Sequence, residues 1–134
     1  MRILIVDDEQ FICELLFEFL KSFGEVDTVT DGSQALAKIE AARAEGKPYR
    51  LMCLDLNLCG FDGIDILKEL RTQETASKIA EEDKLQVIVI TSSYESKYFF
   101  EAHDAGCQAY LTKPILRDDL LLKLEDLNLI DPQS

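Results

Sequence analysis

The chain reads as an α/β domain of the doubly wound kind, a parallel sheet covered by helices on both faces. Three observations predict this. Five short apolar runs alternate with five stretches of helical periodicity. The runs are short and largely β-branched, as strands of a buried sheet are. Each of the first, third, fourth and fifth runs stops at a polar residue: Asp7, Asp55, Thr91 and Lys113. A length of 134 residues fits one domain with a sizeable core, at 47% apolar and 30% charged residues.

Residues 2–6 form the first strand, ended by Asp7-Asp8. Apolar residues at Ile12, Leu16, Phe19, Leu20 and Phe23 predict a helix over 8–23, with Gly24 as its C-cap. Residues 25–30 make a second strand. Asp31-Gly32 is a turn, and Asp31 or Ser33 offers the cap of a helix marked by Ala35, Leu36, Ile39 and Ala42, which ends near Gly46-Lys47-Pro48. The third strand is expected over 49–54, followed by a loop over 57–63 that carries Gly60 and Gly63. Ile64, Leu67 and Leu70 begin the third helix. Residues 73–84 are polar and read as a solvated helical extension or loop. Residues 85–90 are the clearest buried strand. A fourth helix runs to Ala105 and is closed by Gly106; residues 108–112 form the fifth strand. Residues 116–127 form the last helix, with Leu120, Leu121, Leu124 and Leu127 inward.

Fourteen basic against 26 acidic residues leave a net charge of −12. That argues against direct nucleic-acid binding, which needs clustered Lys and Arg, and against an anionic membrane surface. No apolar run approaches a bilayer span, and the N-terminus does not have the pattern of a signal peptide. Cys13, Cys53, Cys59 and Cys107 form no CxxC pair, and His103 stands alone, so no zinc constellation is expected. Free thiols and a cytoplasmic location are the expectation. Cys53 is expected as buried filler, Cys59 as an incidental loop thiol and His103 as a surface residue.

In an open α/β sheet, ligands bind beyond the carboxyl ends of the strands. Asp7, Asp8, Asp55, Thr91 and Lys113 would converge there. Singly each is unremarkable: an acidic pair after a strand is usually a cap or a solvated turn, and a Lys before Pro a surface lysine. Three clustered carboxylates repel one another and call for a cation, and hard oxygen donors suit Mg²⁺. An Asp can serve as nucleophile and form an aspartyl phosphate. Phosphoryl transfer needs positioning and neutralised oxygens, which a divalent cation, Lys113 and the Thr91 hydroxyl would supply. Asp55, ending the central strand beside the first, is best placed as nucleophile.

With these residues in view, the sequence resembles the receiver domain of two-component response regulators. The resemblance covers nearly the whole chain. It rests on ILIVDDE at 3–9, DGSQAL at 31–36, LMCLDLNLCGFDG at 51–63, VIVITSS at 87–93 and AGCQAYLTKP at 105–114. It implies a flavodoxin-like fold with strand order 2-1-3-4-5, a receiver domain over 1–127, a short tail over 128–134 and no output domain. It implies Asp55 as phosphoacceptor, Asp8 as direct Mg²⁺ ligand, Asp7 as a ligand mainly through water, and a further ligand in the Asn57 backbone carbonyl, with Mn²⁺ able to substitute. Thr91 and Lys113 would be the catalytic hydroxyl and ammonium, and Thr91 and Tyr110 the switch pair. The implied phosphoryl source is a sensor histidine kinase or a histidine phosphotransferase. The face of the fourth helix, fifth strand and fifth helix would then change for a downstream protein target, for phosphorelay, or for a homodimer. Such a protein catalyses its own Asp phosphorylation and dephosphorylation rather than acting as an enzyme on a separate substrate.

The sequence departs from the family pattern in places. Leu58-Cys59 stands where Met-Pro is usual, Ser92 is slightly larger than the usual Ala or Gly and is expected to narrow access to Asp55, residues 73–86 are longer than usual, and Ile115 replaces a frequent Phe. Phe17, one of Phe99 or Phe100, and Leu122 are expected outside. Scattered surface apolar residues are normal; the sharper reading puts Phe17 against a kinase or phosphotransfer helix and Phe100 and Leu122 on an output or dimer face. The alternative function is a phosphorylation-independent interaction module. A dehalogenase-like phosphatase would need a second Asp where Asn57 stands, a flavodoxin would need a phosphate loop after the first strand, and GxxxxGK[ST] is missing.

Overall fold

The computed structural model describes residues 1–58, 60–92 and 95–133. The expectation placed on Cys59 lies outside these residues. Five parallel strands form the sheet: β1 (Arg2–Val6), β2 (Glu25–Val29), β3 (Leu51–Leu54), β4 (Gln86–Thr91) and β5 (Ala109–Thr112). Their spatial order is β2-β1-β3-β4-β5, which is the 2-1-3-4-5 order expected. The registers place Val6 beside Val29 and Leu54, Leu54 beside Val89, and Thr91 beside Thr112. The residues that follow β1 and β3 and those that end β4 and β5 therefore share one edge, called upper here.

Five helices cover the sheet: α1 (Gln10–Leu20), α2 (Ala35–Ala44), α3 (Gly63–Ala76), α4 (Ser96–Ala105) and α5 (Arg117–Asp126). Alternate strand residues feed two cores. Leu4, Val6, Met52, Leu54, Val87 and Val89 pack under α2, α3 and α4. Ile3, Ile5, Leu51, Cys53, Ile88 and Ile90 pack under α1 and α5. Both faces being covered explains why β1, β3 and β4 are apolar almost throughout. Cys53 is 1% exposed and burial pushes its thiol up to about 12, as expected of filler. Among the described residues, no helix is long and apolar enough to cross a membrane.

Several boundaries move. α1 starts at Gln10 rather than residue 8, because Glu9 keeps an extended backbone at φ −91° and ψ 110°. α1 ends at Leu20, so Gly24 is not its cap. A Cβ on Gly24 would lie 2.0 Å from the Met1 carbonyl oxygen, which accepts the Glu25 N–H at 2.9 Å; the glycine lets β2 start against β1. β3 begins at Leu51, not 49. The loop after it contains a short antiparallel ladder, Asn57–Leu58 against Phe61–Asp62, beneath the turn at Gly60. Asp31 receives both the Ser33 N–H and the Ser33 hydroxyl, and this caps a 3₁₀ turn, Gly32–Gln34, ahead of α2. α4 closes at Gly106 as expected, with φ 102°.

The expectation for residues 73–84 holds for most of the stretch and is corrected at Glu74. α3 continues to Ala76, and Glu74 is fully buried. Its carboxylate accepts Arg71 Nη1 at 2.7 Å and the Leu85 N–H at 2.8 Å. Arg71 also donates to the carbonyls of Leu85 and Gly106 and to Gln108 Oε1, which in turn accepts the Val87 N–H. Arg71 and Glu74 thus tie α3 to the end of α4 and to the lower ends of β4 and β5, while residues 75–78 and 80–83 are exposed, as expected of a solvated stretch.

Candidate functional site

The backbone delivers the site residues. Parallel pairing of β1 with β3 puts Asp7 and Asp55, the first residues past each strand, side by side; the Asp55 N–H extends the ladder to the Val6 carbonyl at 3.0 Å. Both carboxylates are buried, at 1% and 3% exposure. The return of the chain after β3 depends on Gly63. A Cβ there would stand 2.4 Å from the Asp55 carbonyl oxygen and 2.7 Å from Leu56 Cα, so only glycine lets α3 begin this close behind Asp55. Asp62 caps α3 by accepting the Ile64 N–H at 2.9 Å.

Lys113 directly follows β5 and precedes a cis Lys113–Pro114 bond. Its Nζ lies 2.9 Å from Asp7 Oδ2, 2.9 Å from Glu9 Oε1 and 3.2 Å from Asp55 Oδ2. Burial works to lower the lysine's pKa, but the hydrogen bonds to Asp7 and Glu9 and the nearby charges outweigh it and hold it above the usual lysine range. Asp7 goes the other way for a carboxylate. Burial raises its pKa, and the Glu9 N–H and Lys113 offset this only in part, while the Asp55 charge adds to it.

Asp55 Oδ1 accepts the Asn57 N–H at 3.1 Å. The Asn57 side chain donates to Thr91 Oγ1 at 3.2 Å, and Thr91 is fully buried. Carboxylate oxygens of Asp7, Asp8 and Asp55 lie within 4.8 Å of one another, with Asp8 the most exposed of the three. Glu9 joins this edge through Lys113, so four carboxylates stand there, three of them in contact with the lysine. The surplus of negative charge and the hard oxygen donors fit a divalent cation such as Mg²⁺. Tyr110 sits half-buried on β5 with Phe99 of α4 edge-on to its ring, at 5.5 Å between centroids and 69° between planes. Phe99 and Phe100 pack edge-to-face at 5.4 Å and are 46% and 61% exposed, so both lie outside where one was expected.

The residues read from the sequence thus come together: Asp7, Asp8, Asp55, Asn57, Thr91 and Lys113 at the upper edge, with Tyr110 on the adjoining strand. Three contributions escape sequence reasoning. Glu9 reaches Lys113, 104 positions away; Asn57 engages Thr91 through its side chain; and the Cys13 thiol donates to the Asp7 carbonyl at 3.2 Å. Only the position of Glu9 next to the acidic pair could have hinted at the first. Phe11, 70% exposed at the start of α1, and Leu116, 62% exposed before α5, also went unread. Phe17 and Leu122 are exposed as expected, at 40% and 55%. The His103 side chain is 72% exposed.

The family model for the response regulator receiver domain matches residues 3–125. Response regulator RppA of Synechocystis sp. is 37% identical over 134 residues, covering 99% of this chain and 53% of that protein. Chemotaxis protein CheY-3 of Vibrio cholerae is 31% identical over 127 residues, covering 93% of this chain and 89% of that one. A crystal structure of a two-component response regulator from Clostridium difficile superposes with a TM-score of 0.80 at 25% identity, covering 96% of this chain and 95% of that one. The chain spans about half the length of curated relatives such as RppA and the VanRB regulatory protein of Enterococcus faecalis. A sheet in 2-1-3-4-5 order, an acidic cluster with its lysine at the upper edge and a family match over residues 3–125 lead to one conclusion: the chain belongs to the response regulator receiver domain family.

Proposed function

We propose that the protein accepts a phosphoryl group on Asp55 and signals by the change this brings to its α4–β5–α5 face. The observation that carries this reading is the setting of Asp55. Its carboxylate is 3% exposed, with Lys113 on Oδ2 and the Asn57 N–H on Oδ1, beside the other two members of the acidic cluster. Each oxygen keeps a lone pair for an incoming phosphorus. An Asp55 oxygen attacks the phosphorus of a phosphohistidine on a kinase or phosphotransferase; the P–N bond breaks and the imidazole leaves with its electron pair and takes up a proton. Asp7, Asp8 and Asp55, with the Asn57 carbonyl, would hold the Mg²⁺. When bound, Mg²⁺ neutralises charge on the phosphoryl oxygens.

The new group brings roughly −1.5 to −2 charge next to Lys113 and Thr91. Thr91 reorients toward it, exchanging its bond with Asn57, and Tyr110 follows into the space vacated. Phe99, edge-on to Tyr110, passes this to α4, whose Phe100 lies in the open together with Leu122 of α5. That exposed apolar face is where a downstream protein or a second copy would read the state. The phosphate must bind the two conformations unequally for this to work.

The test is an intact mass after incubation with Mg²⁺ and acetyl phosphate. The wild type should gain one phosphoryl group and Asp55→Asn none. A stable wild type that gains none, and that beryllofluoride leaves unchanged, would point instead to a phosphorylation-independent interaction module.

A further inference from the structure

The geometry points to Glu9 as a positioning residue that holds Lys113 before phosphorylation and yields it to the phosphoryl group. This rests on the reading of Asp55 as acceptor. Lys113 Nζ is shared by three carboxylates, and they are not equivalent. The Asp7 and Asp55 side chains are 2% and 3% exposed and belong to the acidic cluster; the Glu9 side chain is 59% exposed. Glu9 also occupies the N-cap position of α1, where Ser, Thr, Asp or Asn would normally bond the first free N–H groups. Its side chain makes no capping bond and reaches across to Lys113 at 2.9 Å instead.

A lysine that must turn one of its donors to a phosphoryl oxygen releases the partner that costs least. An exposed ion pair is the weakest of the three, since water replaces the lost partner at once. Asp7 and Asp55 would be left buried and uncompensated if they were released. Glu9 is therefore the exchangeable partner, and its grip sets how readily Lys113 meets an arriving phosphoryl group. Two effects follow from removing it: a freer ammonium and one negative charge fewer at the rim. Glu9→Asp separates them, because it keeps the charge and is one methylene shorter.

The experiment is the second-order rate constant for phosphorylation of the intact chain by acetyl phosphate, at saturating Mg²⁺ for each variant. Glu9→Gln and Glu9→Asp should both be faster than wild type, by about threefold to fivefold, the scale of one exposed ion pair. Glu14→Gln, which takes a carboxylate from the same helix but one that bonds Gln10, should match wild type. A damaged fold cannot produce acceleration. If Glu9→Gln speeds up and Glu9→Asp does not, rim charge alone is at work and the hold on Lys113 is refuted. Unchanged rates in both variants refute it as well. No adduct on any of these proteins, wild type included, would overturn the Asp55 reading itself, and this inference with it.

Discussion

At the lower edge of the sheet, Glu74 is fully buried and Arg71 is 18% exposed, and the pair is balanced. One carboxylate meets one guanidinium, and their remaining donors and acceptors go to the Leu85 N–H, the Leu85 and Gly106 carbonyls and Gln108. At the upper edge, Asp7 and Asp55 are as deeply buried, but the charge does not balance. Asp8 and Glu9 crowd in as well, and Lys113 is shared among Asp7, Asp55 and Glu9. Both are buried ionic networks; only one is finished. The difference teaches how to tell a strut from a site: a strut is neutral and satisfied by its own backbone, whereas a site keeps an excess of one charge that a further ion must meet.

The largest expected effect is at the lower edge. Glu74→Ala strands the Arg71 guanidinium and leaves the buried Leu85 N–H without its acceptor. Breaking a buried pair from one side costs about 3–5 kcal/mol. Urea unfolding should show that loss with or without Mg²⁺. A loss below about 1 kcal/mol would mean that water satisfies Arg71 and Leu85, and the contrast between the edges would collapse.

Asp7→Asn should do the opposite. At an effective dielectric of about 20, attraction to Lys113 at 2.9 Å is worth about 6 kcal/mol, while repulsion from two carboxylates within 4.8 Å comes to about 7 kcal/mol or more. Burial adds to the cost of the charge, in line with the raised pKa. In metal-free buffer, Asp7→Asn should be as stable as wild type or more stable by about 1 kcal/mol. Adding Mg²⁺ should reverse the order, because an ion at about 100 times its dissociation constant stabilises the wild type by about 2.7 kcal/mol. The check is a pair of urea midpoints with and without Mg²⁺. A clear loss of stability without metal would show that the upper edge is a strut after all.

The upper edge was legible in the sequence because its residues sit where strands stop. Asp7, Asp55, Thr91 and Lys113 each end an apolar run, and parallel pairing leaves such residues one common place to go. Strand existence was legible for the same reason. The lower edge was not. Glu74 lies in a polar stretch that looks like solvent-exposed helix, and nothing local reveals that Arg71, three residues earlier, folds over it toward Gly106 and Gln108. Gly24 was misread in a related way. Its position after a helical pattern suggested a cap, while its use is a close approach to Met1, a contact between segments the sequence does not juxtapose. Periodicity reports one element against solvent; it is silent on bonds between elements. Glu9 fell into that same gap, although it adjoins the acidic pair.

The smallest effect sharpens the comparison through pH. Asp27, on β2, accepts the Tyr49 hydroxyl at 2.6 Å and Arg2 Nη2 at 3.1 Å. The Tyr49 bond first, then Arg2, hold its pKa below the usual carboxylate range against the opposing effect of burial. Tyr49→Phe keeps the ring beneath the Arg2 guanidinium and removes the hydroxyl's bond to Asp27 together with the long one it accepts from Arg2 Nη2 at 3.4 Å, about 1.5 kcal/mol at neutral pH. A carboxylate with a depressed folded pKa lends stability above its unfolded pKa, about 3.9, and loses it as pH falls through the folded value. The gap between wild type and Tyr49→Phe should therefore be full at pH 7 and shrink below about pH 4. Asp7 has the opposite shift, so ionising it costs the folded state. Its protonation on acidification should favour the wild type relative to Asp7→Asn as pH falls toward about 3.9, above the range in which Tyr49→Phe catches up with the wild type. Measured side by side in metal-free buffer, the two gaps should respond to acid in opposite senses, that of Asp7→Asn above about pH 3.9 and that of Tyr49→Phe below it. Parallel slopes would mean that both carboxylates are simply paired, and that the upper edge carries no excess charge for an ion to meet.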